Sequence, residues 1–553
     1  MASRCWAIIR TPHITKVPIP PSSATGRGHV VNIALILSLC ISVFSACSNT
    51  PPVAPHHASP VTVVPQRDWS DAILYFVLID RFADGDSRNN ADADKRNPGA
   101  YHGGDLKGLT QQLDEIASLG VTAIWINPVV KQIDKPVWAQ GPPGSGWEGG
   151  FEHWPFHGYW ADDFNRLEPH FGSEADLKAF VDAAHARGLK VLLDVVYNHV
   201  GYGSHYLSDP ATRHWFHERP VDCGADPIVC QVGGLPDLRT ELPEVREYLF
   251  HAHLGLAKRV GLDGFRLDTV KHVEHDFWRA QRARSRAELG QTFFLLGEVW
   301  GGSAQVLDPW FADDEMDAGF DFSFRGNCEG FVNGRGRTIA YAAYLQKRHQ
   351  VRQGHYLAHY LSSHDEPMFL SELGNDLAKF KECVALQMTT LGIPVIYYGE
   401  EVARRGGTWP TNRSDMPWGN RAIQPGHGLN RNEALRDYYR QLIALRRAHP
   451  ALSRGEFHAL STGGDLLVFV RKDESLTDSV IIAVNRGASA ASASVPLPED
   501  WRNLPVYEVL SGATVQARAG QLPINTPPHT AQIYVTERKI AGAIAWRTSA
   551  SNM

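Results

Sequence analysis

A cation and a carboxylate two residues apart form the pair with the clearest chemical meaning in this sequence. Arg266 and Asp268 lie in residues 264–272, where Phe265 and Leu267 alternate with them as in a short buried strand. Because side chains alternate along a strand, Arg266 and Asp268 point to one side, and the guanidinium favours the ionised carboxylate. Such a carboxylate at a strand end suits nucleophilic attack, whereas a structural ion pair is the commoner explanation of an isolated pair.

Two more carboxylates follow apolar segments later in the chain, and they favour the catalytic interpretation. Residues 292–297 are followed by Glu298, and residues 359–363 are followed by His364 and Asp365. Glu298 has apolar neighbours in the sequence, so burial and nearby carboxylates are expected to raise its pKa. One ionised and one protonated carboxyl group can serve as nucleophile and general acid.

The carboxylates follow strands of a regular βα alternation that begins near Ile73. We predict buried strands at residues 73–79, 121–126, 191–193, 264–268, 292–297, 359–363 and 391–400. Repeated βα units over this length predict an α/β fold, a (β/α)8 TIM barrel, with a doubly wound sheet as the alternative. In a barrel the residues after the strands line one face, so the three carboxylates would meet there.

Two other regions depart from this alternation. Residues 201–240 carry Gly, Pro and two Cys and predict a small inserted domain after the third strand. Short strands without helices near residues 466–470, 480–484 and 531–535 predict a C-terminal antiparallel β-sandwich. The predicted boundaries are 1–47 for a signal peptide, 48–68 for a linker, 69–200 and 241–450 for the barrel, 201–240 for the inserted domain, 451–536 for the β domain and 537–553 for a tail.

Composition sets limits on partners. The 553 residues are 43% hydrophobic and 21% charged, which is ordinary for a globular protein with one large and one or two smaller domains. The net charge of −6 comes without a basic block, which argues against nucleic acid as a partner. Fifteen Trp and seventeen Tyr provide aromatic faces that suit sugar rings, although such residues also fill cores. We expect a monomer.

The N-terminal region predicts export. An apolar run at residues 30–46 ends in small residues directly before Cys47, which resembles a bacterial lipoprotein signal with Cys47 as the lipidated residue. Secretory cleavage without lipidation is the alternative. The protein is therefore expected in the periplasm or cell envelope as a lipoprotein, or secreted. Export permits disulfides, and Cys223 with Cys230 is the natural pair, while pairing of Cys328 with Cys383 is left open.

A group of oxygen donors follows the first strand. Asp84, Asp86, Asn89 and Asn90 surround Gly85 at close spacing. Hard cations such as calcium take oxygen ligands of this kind, but Asp, Asn and Gly are equally normal in a polar turn. Spacing alone does not decide between a calcium site and a turn.

These motifs together resemble the α-amylase family of glycoside hydrolases, over about residues 73–535. Residues 194–199, 264–272, 297–300 and 364–365 resemble the family's four main motifs in their order, and residues 235–238 resemble its short motif late in the inserted domain. Ser363 stands where the family usually has Asn, so we expect altered detail but retained activity.

The resemblance implies a role for each matched residue. Asp268 would be the nucleophile, Glu298 the general acid/base and Asp365 the third carboxylate. The residues implied to support them or to contact sugar are Arg266, which keeps Asp268 ionised, His199 and His364 on hydroxyl groups, Tyr159 stacked on the sugar ring with His157 and Trp160 beside it, and Lys271 and His272 on the leaving side.

The resemblance also implies one or two structural Ca²⁺ sites. Asn198, Asp237 and the carbonyl group of His272 match the calcium site shared by the family. The second site would use Asp84, Asp86, Asn89 and Asn90, completed by the Gly103 carbonyl group and Asp105, as in cyclodextrin-forming relatives. This likeness favours calcium over the polar turn.

The implied activity is retaining hydrolysis of internal α-1,4-glucosidic bonds in starch or maltodextrins, as by an exported α-amylase. Such chemistry needs two carboxyl groups about 5–5.5 Å apart. The alternatives are an α-1,4-glucan transglycosylase or a cyclomaltodextrinase-like enzyme of the same family. A noncatalytic glucan-binding lipoprotein is a further alternative, which the presence of all three carboxylates disfavours.

Overall fold

The computed structural model describes residues 69–218 and 222–536. The predicted signal peptide, Cys47, the linker and the tail lie outside the described residues. Within the two described ranges, no helix combines the length and the apolar character that crossing a membrane requires.

Parallel strands close into a barrel in the centre of the fold. Its eight strands are Leu74–Val77, Ala123–Ile126, Lys190–Val195, Gly264–Leu267, Phe294–Gly297, Ala318–Phe320, Tyr356–Tyr360 and Ile393–Tyr397. Neighbours in sequence pair with each other, and Leu74 opposite Val395 joins the first strand to the last. The predicted TIM barrel is therefore confirmed, and the doubly wound sheet is wrong.

The sixth barrel strand, Ala318–Phe320, is not among the strands predicted from the sequence. This strand has three residues, and its centre is Gly319. A Cβ atom on Gly319 would come within 2.3 Å of the Leu307 side chain, so close packing excludes a larger residue there. A short strand with a glycine in the middle carries too little apolar pattern to be recognised.

Helices cover the barrel on the outside. The α-helices are Ile79–Phe82, Leu106–Gln111, Leu113–Leu119, Glu174–His185, Pro243–Val260, His275–Leu289, Asp308–Ala312, Ser323–Val332, Thr338–Arg348, Phe369–Glu372, Leu377–Thr389, Glu433–Ala448 and Pro450–Arg454. A capping box of Ser173 and Asp176 opens one of them. Gly261, with φ of 83°, ends another in the left-handed conformation that glycine adopts without strain.

Long connections build up one end of the barrel. Two short antiparallel pairs, Val130–Gln132 with Ala161–Leu167 and Val137–Ala139 with Phe151–His153, form where no strand is predicted from the sequence. The described part of residues 201–240 contains short 3-10 turns and the predicted Cys223–Cys230 disulfide, which is confirmed. Cys328 and Cys383 are both buried, and they are not bonded to each other.

Antiparallel strands make up the C-terminal part of the chain. One sheet has six strands, which are Glu456–Ser461, Leu466–Asp473, Asp478–Asn485, Val506–Glu508, Thr514–Val515 and Thr530–Thr536. The other pairs Ala491–Pro496 with Gln521–Thr526. Side chains of both sheets, among them Ile481 and Leu522, share one apolar cluster, as the predicted sandwich requires.

Candidate active site

One buried guanidinium joins three carboxylates at the carboxyl ends of the barrel strands. Arg266 Nη1 lies 2.7 Å from Asp268 Oδ1 and 3.0 Å from Asp194 Oδ1, and Nη2 lies 2.7 Å from Glu298 Oε1. The predicted pairing of Arg266 with Asp268 is present. Because Asp268 and Glu298 contact two nitrogens of one planar group, their carboxyl groups are held close to each other in a fixed arrangement.

Burial sets the protonation of Glu298. The residue is only 9% exposed, and this burial, helped by Asp268 and Asp365, raises its pKa to about 8 against the opposing effect of Arg266. The backbone N–H of Thr269 donates to Glu298 Oε2 at 3.1 Å and holds the group in place. A carboxyl group with this pKa carries a proton at neutral pH and can act as an acid.

Asp194 is a member of the site whose importance the sequence did not reveal. Trp125 Nε1 donates to Asp194 Oδ2 at 3.1 Å, and the Tyr159 hydroxyl donates to the same oxygen at 2.8 Å. Burial raises the pKa of Asp194 to about 7, opposed by Arg266. Asp194 lies opposite Arg266 in the strand pairing, so the strand-end rule that identified Asp268 could have found it as well.

Aromatic side chains form a wall beside the carboxylates. The Tyr159 hydroxyl lies 2.8 Å from His364 Nε2, and the two rings are stacked at 5.3 Å. His157 packs behind Tyr159 with ring centroids 5.7 Å apart, and Trp160 contacts His157 edge-on at 4.7 Å. His199 Nε2 lies 3.2 Å from the Tyr159 carbonyl oxygen. The structure therefore brings these sequence-predicted residues together around Tyr159.

His364 and Arg413 hold the Asp365 carboxylate in place. Asp365 Oδ2 lies 3.3 Å from His364 Nε2, and Arg413 Nη2 lies 3.3 Å from Asp365 Oδ1. The hydroxyl of Ser363 accepts from the Asp365 backbone N–H at 3.2 Å, which gives the unusual Ser a local capping role. Arg413 was not predicted from the sequence, because it lies in a short 3-10 turn, Thr411–Arg413, after the last barrel strand.

Lys271 and His272 follow Asp268 in a tight turn. Thr269 has φ of 46°, and Val270–His272 form a 3-10 turn that carries the chain toward the inserted segment. His272 Nδ1 lies 2.7 Å from the Pro227 carbonyl oxygen of that segment. His272 therefore links the turn after Asp268 to the inserted segment, and Lys271 lies half-buried in the same turn.

The first predicted calcium set converges in space. One terminal atom of the Asn198 amide lies 2.8 Å from the His272 carbonyl oxygen and 3.2 Å from Asp237 Oδ1. If this atom is the amide nitrogen, it donates to the His272 carbonyl oxygen and to Asp237 Oδ1. If it is the amide oxygen, three oxygens converge at one point, and a cation would be needed to hold them together. Burial raises the pKa of Asp237 to about 8, which a bound cation would reverse.

The second predicted calcium set, around Asp84 and Asp105, also comes together in space, except that the Asp86 carboxylate pairs with cationic side chains. Asn90 Nδ2 donates to Asp84 Oδ2 at 2.7 Å, and a Cβ on Gly103 would come within 2.8 Å of the Asn90 amide. Asp105 Oδ2 accepts from the Asp86 backbone N–H at 2.8 Å.

Asn89 and Asp86, the other two residues of that set, differ in whether they have partners. The Asn89 Oδ1 atom is buried and has no hydrogen-bond partner among the described residues. The Asp86 carboxylate instead contacts Lys107 and Arg88 at 2.6 Å, so two cationic side chains already neutralise it. The donors that fit an additional cation here are therefore Asp84, Asn89, Asn90, Asp105 and the Gly103 carbonyl group.

Comparison with known proteins agrees with this geometry. A family model described as the α-amylase catalytic domain matches residues 76–231 and 228–418. A cyclomaltodextrinase of Geobacillus thermopakistaniensis is 29% identical over 495 residues, 85% of this chain and 78% of the relative. Neopullulanase 2 of Thermoactinomyces vulgaris is 30% identical over 512 residues, 86% of this chain and 79% of the relative.

A solved structure shows the same likeness in three dimensions. The crystal structure of an Anoxybacillus α-amylase superimposes with a TM-score of 0.73 at 32% sequence identity, and the match covers 85% of this chain and 98% of that one. Since the catalytic-domain model spans most of the barrel and the carboxylates meet at its strand ends, the chain belongs to the α-amylase family of glycoside hydrolases.

Proposed function

We propose that the protein hydrolyses α-1,4-glucosidic bonds of maltooligosaccharides with retention of configuration. The observation that supports this most directly is the contact of one guanidinium, Arg266, with both Asp268 and a Glu298 whose pKa is raised. Retaining glycosidases need an ionised nucleophile and a protonated acid at close range, and this arrangement provides both.

The proposed reaction has two displacement steps. In the first, Asp268 attacks the anomeric carbon while Glu298 gives its proton to the departing glycosidic oxygen, which leaves a covalent glycosyl–Asp268 ester. In the second, Glu298, now ionised, takes a proton from water, and the water oxygen displaces Asp268 from the anomeric carbon. Glu298 regains its proton and Asp268 its charge, so the enzyme returns to its starting state.

The residues around Tyr159 fit the sugar that is being cleaved. A flat phenol ring can stack on the apolar face of a pyranose, and Tyr159 is fixed for this by its bonds to Asp194 and His364. Asp365, His364 and His199 supply polar groups for the hydroxyls. The negative charge of Asp365 also stabilises the positive charge that develops on the sugar in the transition state.

The sequence predicts a starch-degrading α-amylase, whereas the substrate that we now propose is a short or cyclic dextrin. The two curated relatives are named a cyclomaltodextrinase and a neopullulanase, which favours the cyclomaltodextrinase-like alternative, with action on short and cyclic dextrins. The likeness to an Anoxybacillus α-amylase keeps hydrolysis of linear chains as the second candidate.

The product profile tests the proposal. Purified protein with calcium is incubated separately with maltoheptaose, β-cyclodextrin and soluble starch, and the products are separated by chromatography. We expect shorter linear sugars, with faster consumption of the cyclodextrin than of starch. Faster loss of starch would favour the α-amylase, and products longer than the substrate would indicate a transglycosylase. No product from any of the three would contradict the proposal.

The pKa of Glu298 predicts the alkaline limit of activity. The free enzyme needs a protonated Glu298, so kcat/KM should fall as pH rises through about 8, the pKa that burial gives this group. The measurement is kcat/KM on maltoheptaose from pH 5 to pH 10, with protein stability followed over the same range. An alkaline limb with an apparent pKa near the ordinary value of Glu would contradict the assignment.

We also propose structural calcium at the two converging sets of oxygen donors. Asn198, Asp237 and the His272 carbonyl group would hold one ion between the inserted segment and the turn after Asp268. Asp84, Asn89, Asn90, Asp105 and the Gly103 carbonyl group would hold the other near the start of the Leu106–Gln111 helix. In the first set an Asp237 oxygen and the His272 carbonyl oxygen converge on the Asn198 amide, and in the second set the buried Asn89 Oδ1 has no hydrogen-bond partner in the part of the chain that the structure describes. A hard cation would satisfy these oxygens.

Calcium removal should lower thermal stability. A ligand present at about 100 times its Kd stabilises the folded state by about 2.7 kcal/mol, so chelation should lower Tm by several degrees and added Ca²⁺ should restore it. Asp237→Asn and Asp84→Asn separate the two sites, because each should remove part of the calcium-dependent shift measured by calorimetry. A Tm independent of calcium in the wild-type protein would contradict both sites.

A further inference from the structure

The loop closed by the Cys223–Cys230 disulfide lies against the imidazole ring of His272. The Pro227 carbonyl oxygen is 2.7 Å from His272 Nδ1, and Cys230 Sγ is 3.3 Å from the same nitrogen. A single short loop of the inserted segment thus contacts one edge of this ring twice.

These contacts fix the orientation of the ring. Because a carbonyl oxygen can only accept, His272 Nδ1 must carry a proton and donate it to Pro227. Among residues 69–218 and 222–536, His272 Nε2 has no protein hydrogen-bond partner, so the opposite edge of the ring is free for a ligand. The backbone of the same residue is held separately, by the Asn198 amide at 2.8 Å from its carbonyl oxygen.

The disulfide is what keeps this loop in place. Of the residues from Asp222 to Cys230, only Cys230 is buried, so apolar packing contributes little to the loop's position. Its other hydrogen bonds are local turns, in which Gly224 N–H donates to Asp222 and Ile228 N–H donates to Asp226. The covalent link between the ends of the loop therefore limits the conformations that would move Pro227 away from His272.

We propose that the Cys223–Cys230 loop is a positioning element for the leaving-group side of the cleft. It holds the His272 ring with Nε2 toward the sugar that departs after cleavage and toward the sugar that can replace water as acceptor. This inference rests on the proposed glycosidase function. Loss of the cross-link weakens binding on the leaving-group side and leaves the donor side, formed by Tyr159, Asp268 and Glu298, unchanged.

Two substrates separate the sides of the cleft. α-Maltosyl fluoride fills only donor positions, because its leaving group is fluoride, whereas maltoheptaose also needs the leaving-group side. For Cys223→Ser/Cys230→Ser we expect kcat/KM on maltoheptaose to fall about tenfold, mainly through KM, as for one lost hydrogen bond of ordinary strength. Hydrolysis of α-maltosyl fluoride should stay within about twofold, and transfer of its maltosyl unit to added maltose should fall with the maltoheptaose activity.

Reduction of the folded wild-type protein gives the same test without a substitution. An added phosphine supplies two electrons to the disulfide, and water supplies the oxygen of the phosphine oxide and the two thiol protons. The reduced wild-type protein should match the double variant, and the reductant should not change the double variant further. That control shows that the effect comes from this disulfide and not from Cys328 or Cys383.

The outcomes separate the two proposals. If the wild-type protein turns over neither substrate, the glycosidase function is wrong. If the wild-type protein is active but reduction leaves both substrates unaffected, the loop has no positioning role. If both activities fall together with Tm, the disulfide supports the fold as a whole and the positioning role is also rejected.

Discussion

Glu298→Gln should lower kcat on maltoheptaose by about 10⁴-fold, the upper part of the range for loss of a general acid. The amide has nearly the shape of the protonated carboxyl group, and its single oxygen can accept from either Arg266 or the Thr269 N–H, although its NH₂ group cannot replace the second acceptor. What it cannot do is give a proton to the glycosidic oxygen. Binding of the intact substrate should therefore survive while cleavage of the natural bond fails.

The fluoride substrate makes this prediction specific to the acid role. Fluoride leaves without a proton, so Glu298→Gln should still form the glycosyl–Asp268 ester from α-maltosyl fluoride, as a burst of fluoride release. Asp268→Asn is the matched control, because it keeps the acid but loses the nucleophile and should fail on both substrates. Calorimetric titration with maltoheptaose checks that both variants bind. Near-wild-type turnover of maltoheptaose by Glu298→Gln would refute the assignment.

Arg266→Met should cost the most stability of any substitution at the site. Arg266 is 1% exposed and contacts Asp194, Asp268 and Glu298, so its removal leaves buried carboxylates without a cationic partner. Breaking a buried ion pair in this way costs about 3–5 kcal/mol. Arg266→Lys should lose less stability but most activity, because one ammonium group cannot bridge Asp268 and Glu298 as the planar guanidinium does.

The loss of stability in Arg266→Met should depend on pH in a defined direction. Without the cation, the pKa values of Asp194 and Glu298, which burial already raises, would rise further in the folded state. The folded variant would then hold protons that the unfolded chain releases above its ordinary carboxyl pKa. Its free energy of unfolding should therefore fall, relative to the wild-type protein, as pH rises through about 7 and about 8, where the folded wild-type groups release their protons and those of the variant do not.

An exposed ion pair provides the control for this measurement. Arg352 pairs with Asp308 at the surface, where both side chains are more than 40% exposed, so Arg352→Met should cost less than about 1 kcal/mol at any pH. Urea unfolding at several pH values compares the two variants. Equal stability losses in Arg266→Met and Arg352→Met would mean that the buried network does not hold the site together.

The barrel and the position of its carboxylates at the strand ends could be predicted from local patterns. Continuous apolar runs mark strands that are buried on both faces, and the barrel arrangement places the residues after every strand on one side, as happens with Asp268 and Glu298. The sixth strand could not be found, because Ala318–Phe320 is too short and contains Gly319. The strands Val130–Gln132, Val137–Ala139 and Phe151–His153 were not predicted for a similar reason, since each has only three residues.

Apolar periodicity and chain order are local properties, so they were enough to identify the chemical groups at the ends of the strands. How those groups share charge depends on contacts that form only in the folded protein. The contacts of Arg266 with Asp194 and Glu298, of Arg413 with Asp365 and of Asp86 with Lys107 all join residues that are far apart in the chain. The apolar sequence neighbours of Glu298 predicted the direction of its pKa shift, but the charged groups that act on it come from other strands and loops, and only the fold brings them together.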